Sequence, residues 1–173
     1  VYSALTGAIG SLRGPLHGGA NEGVMHMLNA IPSVDAVEDY IMGKIQRKEK
    51  IMGFGHRVYK AKDPRASELM TLAEQLARDT GNMDLYEKSS AIEKVMEEKV
   101  ASKGIYPNVD FYSATTYHCI GLKLDLFTPM FALSRIAGWA GHVIEQLEDN
   151  RLFRPKADYV GPHNVRYVPI EKR

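Results

Sequence analysis

The chain holds one cysteine, Cys119, among its 173 residues. A single thiol cannot form an intrachain disulfide or build a cysteine-based zinc cluster, which fits a reducing compartment and a cytoplasmic protein. Apolar runs of transmembrane length are missing, so no membrane partner is expected. No signal-peptide pattern opens the chain. Charge of one sign is not in excess either: 22 Lys and Arg face 21 Asp and Glu, for a net +1. Bulk electrostatics therefore give no reason to expect a nucleic-acid partner. No His-Glu-x-x-His, and no other ligand pair one helical turn apart, argues for a metal. Internal repeats and low-complexity segments are absent. The chain opens on Val1 rather than methionine, as a processed product or a piece of something longer would.

What is present reads as an all-α protein. Hydrophobic residues make up 45% and charged residues 25%, an ordinary globular composition with length for one full core or two small ones. Val1 to Leu16, with Gly7, Gly10 and Gly14, reads as the end of a closely packed helix running into a loop. A helix is expected from about Asn21 to Ala30. Another follows an N-cap at Ser33, with Val34, Val37, Ile41 and Ile45 at helical spacing. Asp63-Pro-Arg65 starts a third, whose face carries Leu69, Leu72, Leu76 and Ala77 and which stops at Thr80-Gly81-Asn82. From about Met83 to Ser102 a long helix should bury Leu85, Ile92, Val95, Met96 and Val100. Its charged residues, including Lys88 and Glu93, read as solvent-facing pairs. A short helix is expected from Ser113 to Gly121. Thr128-Pro129 reads as a cap and first position for a helix to about Asp149, with Met130, Leu133, Ala137, Ala140, Ile144 and Leu147 as its stripe and Gly138 and Gly141 for close packing. The tail from Asn150 has no helical period, and Tyr159-Val160 with Val165 to Val168 suits a short hairpin.

Chemistry concentrates in loops. Gly53-Phe-Gly-His-Arg-Val-Tyr-Lys-Ala-Lys-Asp-Pro-Arg65 combines glycines, which let a backbone approach a ligand, with the fixed charges of Lys60, Lys62 and Arg65, suited to phosphate or carboxylate. His56 among them can donate a hydrogen bond or move a proton near neutral pH. A solvated basic turn is the alternative. In Gly14-Pro-Leu-His-Gly-Gly-Ala-Asn21, His17 sits in a turn at a helix N-terminus, where it suits an enolic or anionic oxygen or simply caps the turn. Asp110, among Val109, Phe111 and Tyr112 and just before the helix at Ser113, is placed to be tuned toward a general base or to cap that helix. Arg135 lies in the apolar half of its helix, so it should need an anionic partner, either a structural carboxylate or a ligand. Arg154 is exposed by composition. Together these groups suit a polycarboxylate and a phosphorylated co-substrate.

Three stretches, in this order, resemble the signatures of the citrate synthase family: Gly14 to Asn21, Gly53 to Lys60 with Asp63-Pro-Arg65, and Pro107-Asn-Val-Asp-Phe-Tyr-Ser113. The tail Arg151-Leu-Phe-Arg-Pro-Lys156 with Tyr159-Val-Gly161 resembles the family's C-terminal end. The resemblance runs over nearly the whole chain but covers only the C-terminal portion of a family whose members are typically more than twice as long. It implies an all-helical fold with a large and a small domain in a homodimer. Residues 1–103 would be mainly small domain, with a large-domain segment at their start, and 104–173 the returning part of the large domain. The implied reaction condenses acetyl-CoA with oxaloacetate to citrate and CoA, with no permanently bound cofactor. 2-Methylcitrate formation from propionyl-CoA is the near alternative, and a non-catalytic CoA- or anion-binding fragment the distant one.

By the same resemblance Asp110 is the base, His17 the donor to the thioester oxygen, and His56 the group that polarises the oxaloacetate carbonyl. Arg65 and Arg135 would hold carboxylates, and Arg154 would reach the opposite subunit's site. Gly53, Phe54, Gly55 and Lys60 would meet CoA. A further histidine for oxaloacetate would lie in the absent N-terminal half, without which the 129–149 stripe should be left uncovered.

Overall fold

The computed structural model describes residues 1–14, 17–56, 58 and 61–173, the side chain of Ala101 excepted. The fold is all-α. Its helices are α1 (Tyr2–Leu12), α2 (Ala20–Ala30), α3 (Val37–Gln46), α4 (Pro64–Thr80), α5 (Met83–Val100), α6 (Val109–Cys119) and α7 (Phe127–Glu148). Among the described residues β pairing is limited to one isolated antiparallel bridge, Phe54 with Pro107. No described helix is long and apolar enough to cross a membrane.

Local chemistry sets the ends of α4. Asp63 caps it by accepting the Arg65 amide at 3.0 Å, Pro64 occupies the first turn, and Gly81, at φ +74°, ends it in the left-handed conformation. The connection to α5 is so short that the two helices must double back on each other. Their packing departs from the expected pattern. Leu72 is exposed, and the buried face of α4 is Ala66, Ala73 and Ala77. Small side chains there let α6 come close, and α6 packs chiefly against α4 and α2.

Helix α6 is the centre of the molecule. Phe111, Tyr112 and Ala114 are fully buried and belong to one hydrophobic cluster with Val24, Leu28, Ile41 and Ile92. Burying each of the larger side chains contributes about 2–3 kcal/mol. Polar groups inside are paired: the Ser89 and Thr115 hydroxyls meet at 2.9 Å, and the Thr116 hydroxyl donates to the Tyr112 carbonyl at 2.9 Å. The helix begins at Val109 rather than Ser113, because Asn108 accepts the Asp110 amide at 2.9 Å and so caps it.

Two residues of α5 read as solvent-facing are not. Lys88 is buried with its ammonium 2.8 Å from Asp84, and Glu93 turns inward to Lys62 and Tyr112.

Helix α7 starts at Phe127, which belongs to the same cluster, after a single 3-10 turn, Leu124–Leu126, instead of at Pro129. Thr128 is therefore not the cap. Its hydroxyl donates to the Gly18 carbonyl at 2.9 Å, and it also bonds the Glu22 carboxylate. Helix α7 packs on α1, but only Phe127 of it is buried. Leu133, Ile144 and Leu147 are 66%, 53% and 54% exposed, so the stripe lies open in this chain, as expected. A Cβ on Gly7, Gly10, Gly138 or Gly141 would meet no atom within 4 Å, so these glycines make no close helix contact here. The tail forms no hairpin among the described residues. It is exposed, with one 3-10 turn at Ile170–Lys172.

Candidate active site

Main-chain hydrogen bonds bring two distant loops together. The Gly55 amide donates to the Tyr106 carbonyl and the Asn108 amide to the Gly53 carbonyl, both at 2.9 Å. The Asn108 side-chain amide adds a third bond, to the Gly55 carbonyl, at 2.9 Å. The residue that caps α6 therefore also fastens the His56 loop to it. Glycine is needed for two reasons at Gly53. Its φ is +80°, and a Cβ would stand 2.8 Å from Val24 Cγ2 and 2.9 Å from Phe111 Cα. Phe54 points into the core, 4.7 Å edge-to-face from Phe111. What Gly53 to Gly55 offers a ligand is thus backbone, not the Phe54 ring. Lys60, the other residue assigned to CoA, lies outside the described residues.

Asp110 occupies the first turn of α6, half-buried. Burial pushes its carboxyl above the ordinary aspartate range. The charges of His17, Arg65 and His56, in that order, oppose the rise, and Asp63 adds to it. A raised carboxyl set among cationic partners is the arrangement of a tuned base. His17, His56 and one of the arginines are thus within electrostatic reach of Asp110.

His17 is held by the turn around it. Its amide and that of Gly19 both donate to the Gly14 carbonyl, at 3.3 and 3.2 Å, and Gly18 donates to Leu12 at 3.1 Å. A Cβ on Gly18 would lie 2.1 Å from the Leu12 oxygen, so this turn closes only on glycine. The imidazole itself is exposed and meets Phe131 of α7 edge-on, with ring centres 5.4 Å apart.

His56 is exposed, and its Nδ1 accepts the Val58 amide at 3.1 Å. In the neutral ring this places the proton on Nε2, which can then donate. Arg65 forms a two-pronged pair with buried Asp63, Nε to Oδ1 at 3.1 Å and a terminal nitrogen to Oδ2 at 2.7 Å. This pairing holds the Asp63 carboxyl below its usual range and orients the guanidinium.

Arg135 departs from expectation. It is exposed, and what it packs on is the Phe131 ring, 5.0 Å from the centroid, rather than a carboxylate. A guanidinium over a ring at the surface has no desolvation cost to offset. Phe131 thereby touches both His17 and Arg135. Arg154 lies in the exposed tail. Lys62, one of the loop's cations, is engaged by Glu93 at 2.5 Å, a pairing that no sequence signal disclosed.

A large open groove of about 1140 Å³ runs between α1, α2 and α7, walled by Ile9, Met52, Ala132, Leu133 and Ile136. His17, His56 and Asp110 do not line it, so this groove and the chemistry are separate features. No cluster of three His, Cys, Asp or Glu suited to a metal occurs among the described residues.

Known proteins share this fold and sequence. Over 173 residues the chain is 54% identical to citrate synthase 2 of Bacillus subtilis, and the match covers all of this chain but 46% of that protein. It is 47% identical to a 2-methylcitrate synthase of Shewanella oneidensis, over all of this chain and 45% of that one. Among solved structures, citrate synthase of Thermoplasma acidophilum, in a ternary complex with carboxymethyl coenzyme A and oxaloacetate, superposes with a TM-score of 0.89 at 43% identity, across 99% of this chain and 46% of that one. The chain thus spans less than half the length of these relatives. The family model described as citrate synthase, C-terminal domain, matches residues 1–156. With its sequence, fold and loop geometry in agreement, this chain belongs to the citrate synthase family.

Proposed function

We propose that this chain is the C-terminal, catalytic portion of an enzyme that condenses acetyl-CoA with oxaloacetate to give citrate and CoA. The observation that carries the reading is the fastening of the His56 loop to the start of the Asp110 helix, with the charges of His17, Arg65 and His56 acting on the raised Asp110 carboxyl. Asp110 takes a proton from the acetyl methyl while His17 donates a hydrogen bond to the thioester oxygen, which stabilises the enol that forms. His56, with its proton on Nε2, polarises the keto carbonyl of oxaloacetate, and the enol carbon attacks it. Citrate bears a carboxylate where the thioester stood, so water must then cleave that bond and release CoA. Arg65 and Arg135 hold substrate carboxylates. Arg154 acts in the opposite subunit, and the Gly53–Gly55 backbone and Lys60 meet CoA.

The whole enzyme, in this reading, is a cytoplasmic homodimer of two-domain subunits. Its N-terminal half and its partner subunit cover the open faces of α1 and α7. Residues 1–103 are mainly the small domain in this reading, and 104–173 the returning part of the large domain.

A second reading, 2-methylcitrate formation from propionyl-CoA, is favoured by the 47% identity to an enzyme of that name. One methylene in a pocket is worth only about 1–3 kcal/mol, so the two activities share a scaffold readily. The test joins this chain to the N-terminal half of the Bacillus subtilis relative and follows release of CoA thiol. Oxaloacetate-dependent release from acetyl-CoA is expected of the joined protein and not of the chain alone. Faster release from propionyl-CoA would favour the second reading. A folded joined protein that releases thiol from neither thioester would leave only a CoA- or anion-binding role.

A further inference from the structure

Glu93, at the middle of α5, uses its two carboxylate oxygens on different parts of the chain. Oε1 accepts from the Lys62 ammonium at 2.5 Å, and Oε2 accepts the Tyr112 hydroxyl. Lys62 belongs to the loop that carries His56 and adjoins Asp63, whose carboxylate orients Arg65. Tyr112 is fully buried on α6, the helix that carries Asp110, and packs edge-on against Phe111. The Glu93 side chain is only 14% exposed, so it is shielded from the water that weakens surface ion pairs. At the other end of the same loop, backbone bonds from Gly53 and Gly55 to 106–108 make the second attachment. Between these two fixed points lies His56.

We propose that Glu93 is a positioning residue for the site: by clamping Lys62 and Tyr112 in one carboxylate, it sets how closely the cationic loop approaches Asp110. The assignment rests on the reading of Asp110 as the base, but its consequence for the loop can be measured without turnover. The groups that act on Asp110 are His17, Arg65 and His56, which oppose the rise, and Asp63, which adds to it. Glu93 reaches Asp110 through the loop, by way of Lys62 and the adjoining Asp63–Arg65 pair.

The experiment follows the Asp110 side-chain carboxyl by carbon NMR through a pH titration of the chain and of its Glu93→Gln, Lys62→Met and doubly substituted forms. Glutamine keeps an oxygen for the Tyr112 hydroxyl and gives up only the charge that holds Lys62. The two possible effects differ in sign. Deleting a negative charge without moving anything favours the ionised carboxylate and lowers the Asp110 midpoint. Releasing the loop takes Arg65 and His56 away from Asp110 and raises it.

An upward shift in Glu93→Gln, a matching one in Lys62→Met, and no further shift in the double variant are the expected results. A downward or absent shift in Glu93→Gln, or additive shifts in the double variant, would overturn the proposal. Lys62 is partly exposed, so its substitution reports on the loop even where the Glu93 variant folds poorly. In the joined protein, Glu93→Gln should lower kcat by about 10- to 100-fold, the scale on which small misplacements act. An unsubstituted joined protein without activity would count against the proposed reaction alone, because the titration decides the clamp independently.

Discussion

Helices α2 to α6 and the pair α1 and α7 treat their apolar surface differently. In the first group every helix reaches the common cluster around Phe111 and Tyr112. In the second, Leu12 and Phe127 are the buried residues, while Leu133, Ile144 and Leu147 stand open. Both groups contain glycines, and the glycines tell the same story. Gly18 and Gly53 are enclosed so tightly that a methyl group would collide, while Gly7, Gly10, Gly138 and Gly141 face empty space. The lesson is that half of this molecule is complete in its own contacts and half presents a surface made to be covered. His17 sits on the seam. Its turn is tied to α1 through Leu12 and to α7 through Thr128 and Phe131.

The contrast can be broken most severely at Asp110. In the joined protein, Asp110→Asn should lower kcat by about 10²- to 10⁴-fold, the range for loss of a general base, with the circular dichroism unchanged. Near-normal thiol release would remove Asp110 from the mechanism. Next in size is Gly53→Ala in the complete half. Left-handed backbone strain and the collision with Val24 and Phe111 should together destabilise the chain by about 2–4 kcal/mol in urea unfolding.

The open half should respond differently. Replacing Leu133 and Ile144 together by serine should suppress self-association of the isolated chain in sedimentation, with little change in its unfolding midpoint. Gly138→Ala should stabilise α7 by about 0.5–1 kcal/mol, because helix propensity is then the only term. A loss instead would mean that the chain closes this face on itself.

The finest distinction is in pH. A carboxyl whose folded pKa is raised loses stability as pH climbs from the ordinary aspartate value of 3.8 through the folded midpoint, since the unfolded chain ionises first. Asp110→Asn should therefore raise the unfolding midpoint at pH 7 and confer little below pH 4. Asp63, held low by Arg65, has the opposite slope: its contribution is present above 3.8 and fades as pH falls through its folded value.

Much of this was readable in the chain itself. Asp63-Pro and Gly81 announce the ends of α4 because capping is local chemistry. The periods of α3 and α5 are clear because each helix has one wet face. Helix α6 was harder to delimit. Buried on most sides, it carries Phe111, Tyr112, Ala114 and Thr115 in succession and has no wet face to set a period. Its cap, Asn108, also bonds Gly55, a partner far away in sequence. The inward turn of Glu93 is hidden from the sequence for a related reason. Whether a charged residue on a helix faces water or a neighbour depends on what docks there, and for Glu93 Lys62 decides the matter through a tertiary contact. His17 and His56 stand out in the sequence because glycine-rich turns restrict what a loop can be for. That their charges reach Asp110 was not legible from spacing.

The bonds between Gly53, Gly55, Tyr106 and Asn108 have a consequence for the order in which the molecule assembles. They close a long loop that contains α4 and α5 entire. Closing so large a ring is entropically costly until those two helices have paired and shortened the path. His56 and Asp110 should thus meet late in folding, after the α4–α5 hairpin has formed and received α6. The proposed catalytic geometry then becomes the last structure gained and, under mild denaturant, the first one lost. The Gly55 and Asn108 amides should accordingly exchange their hydrogens before those in the middle of α4.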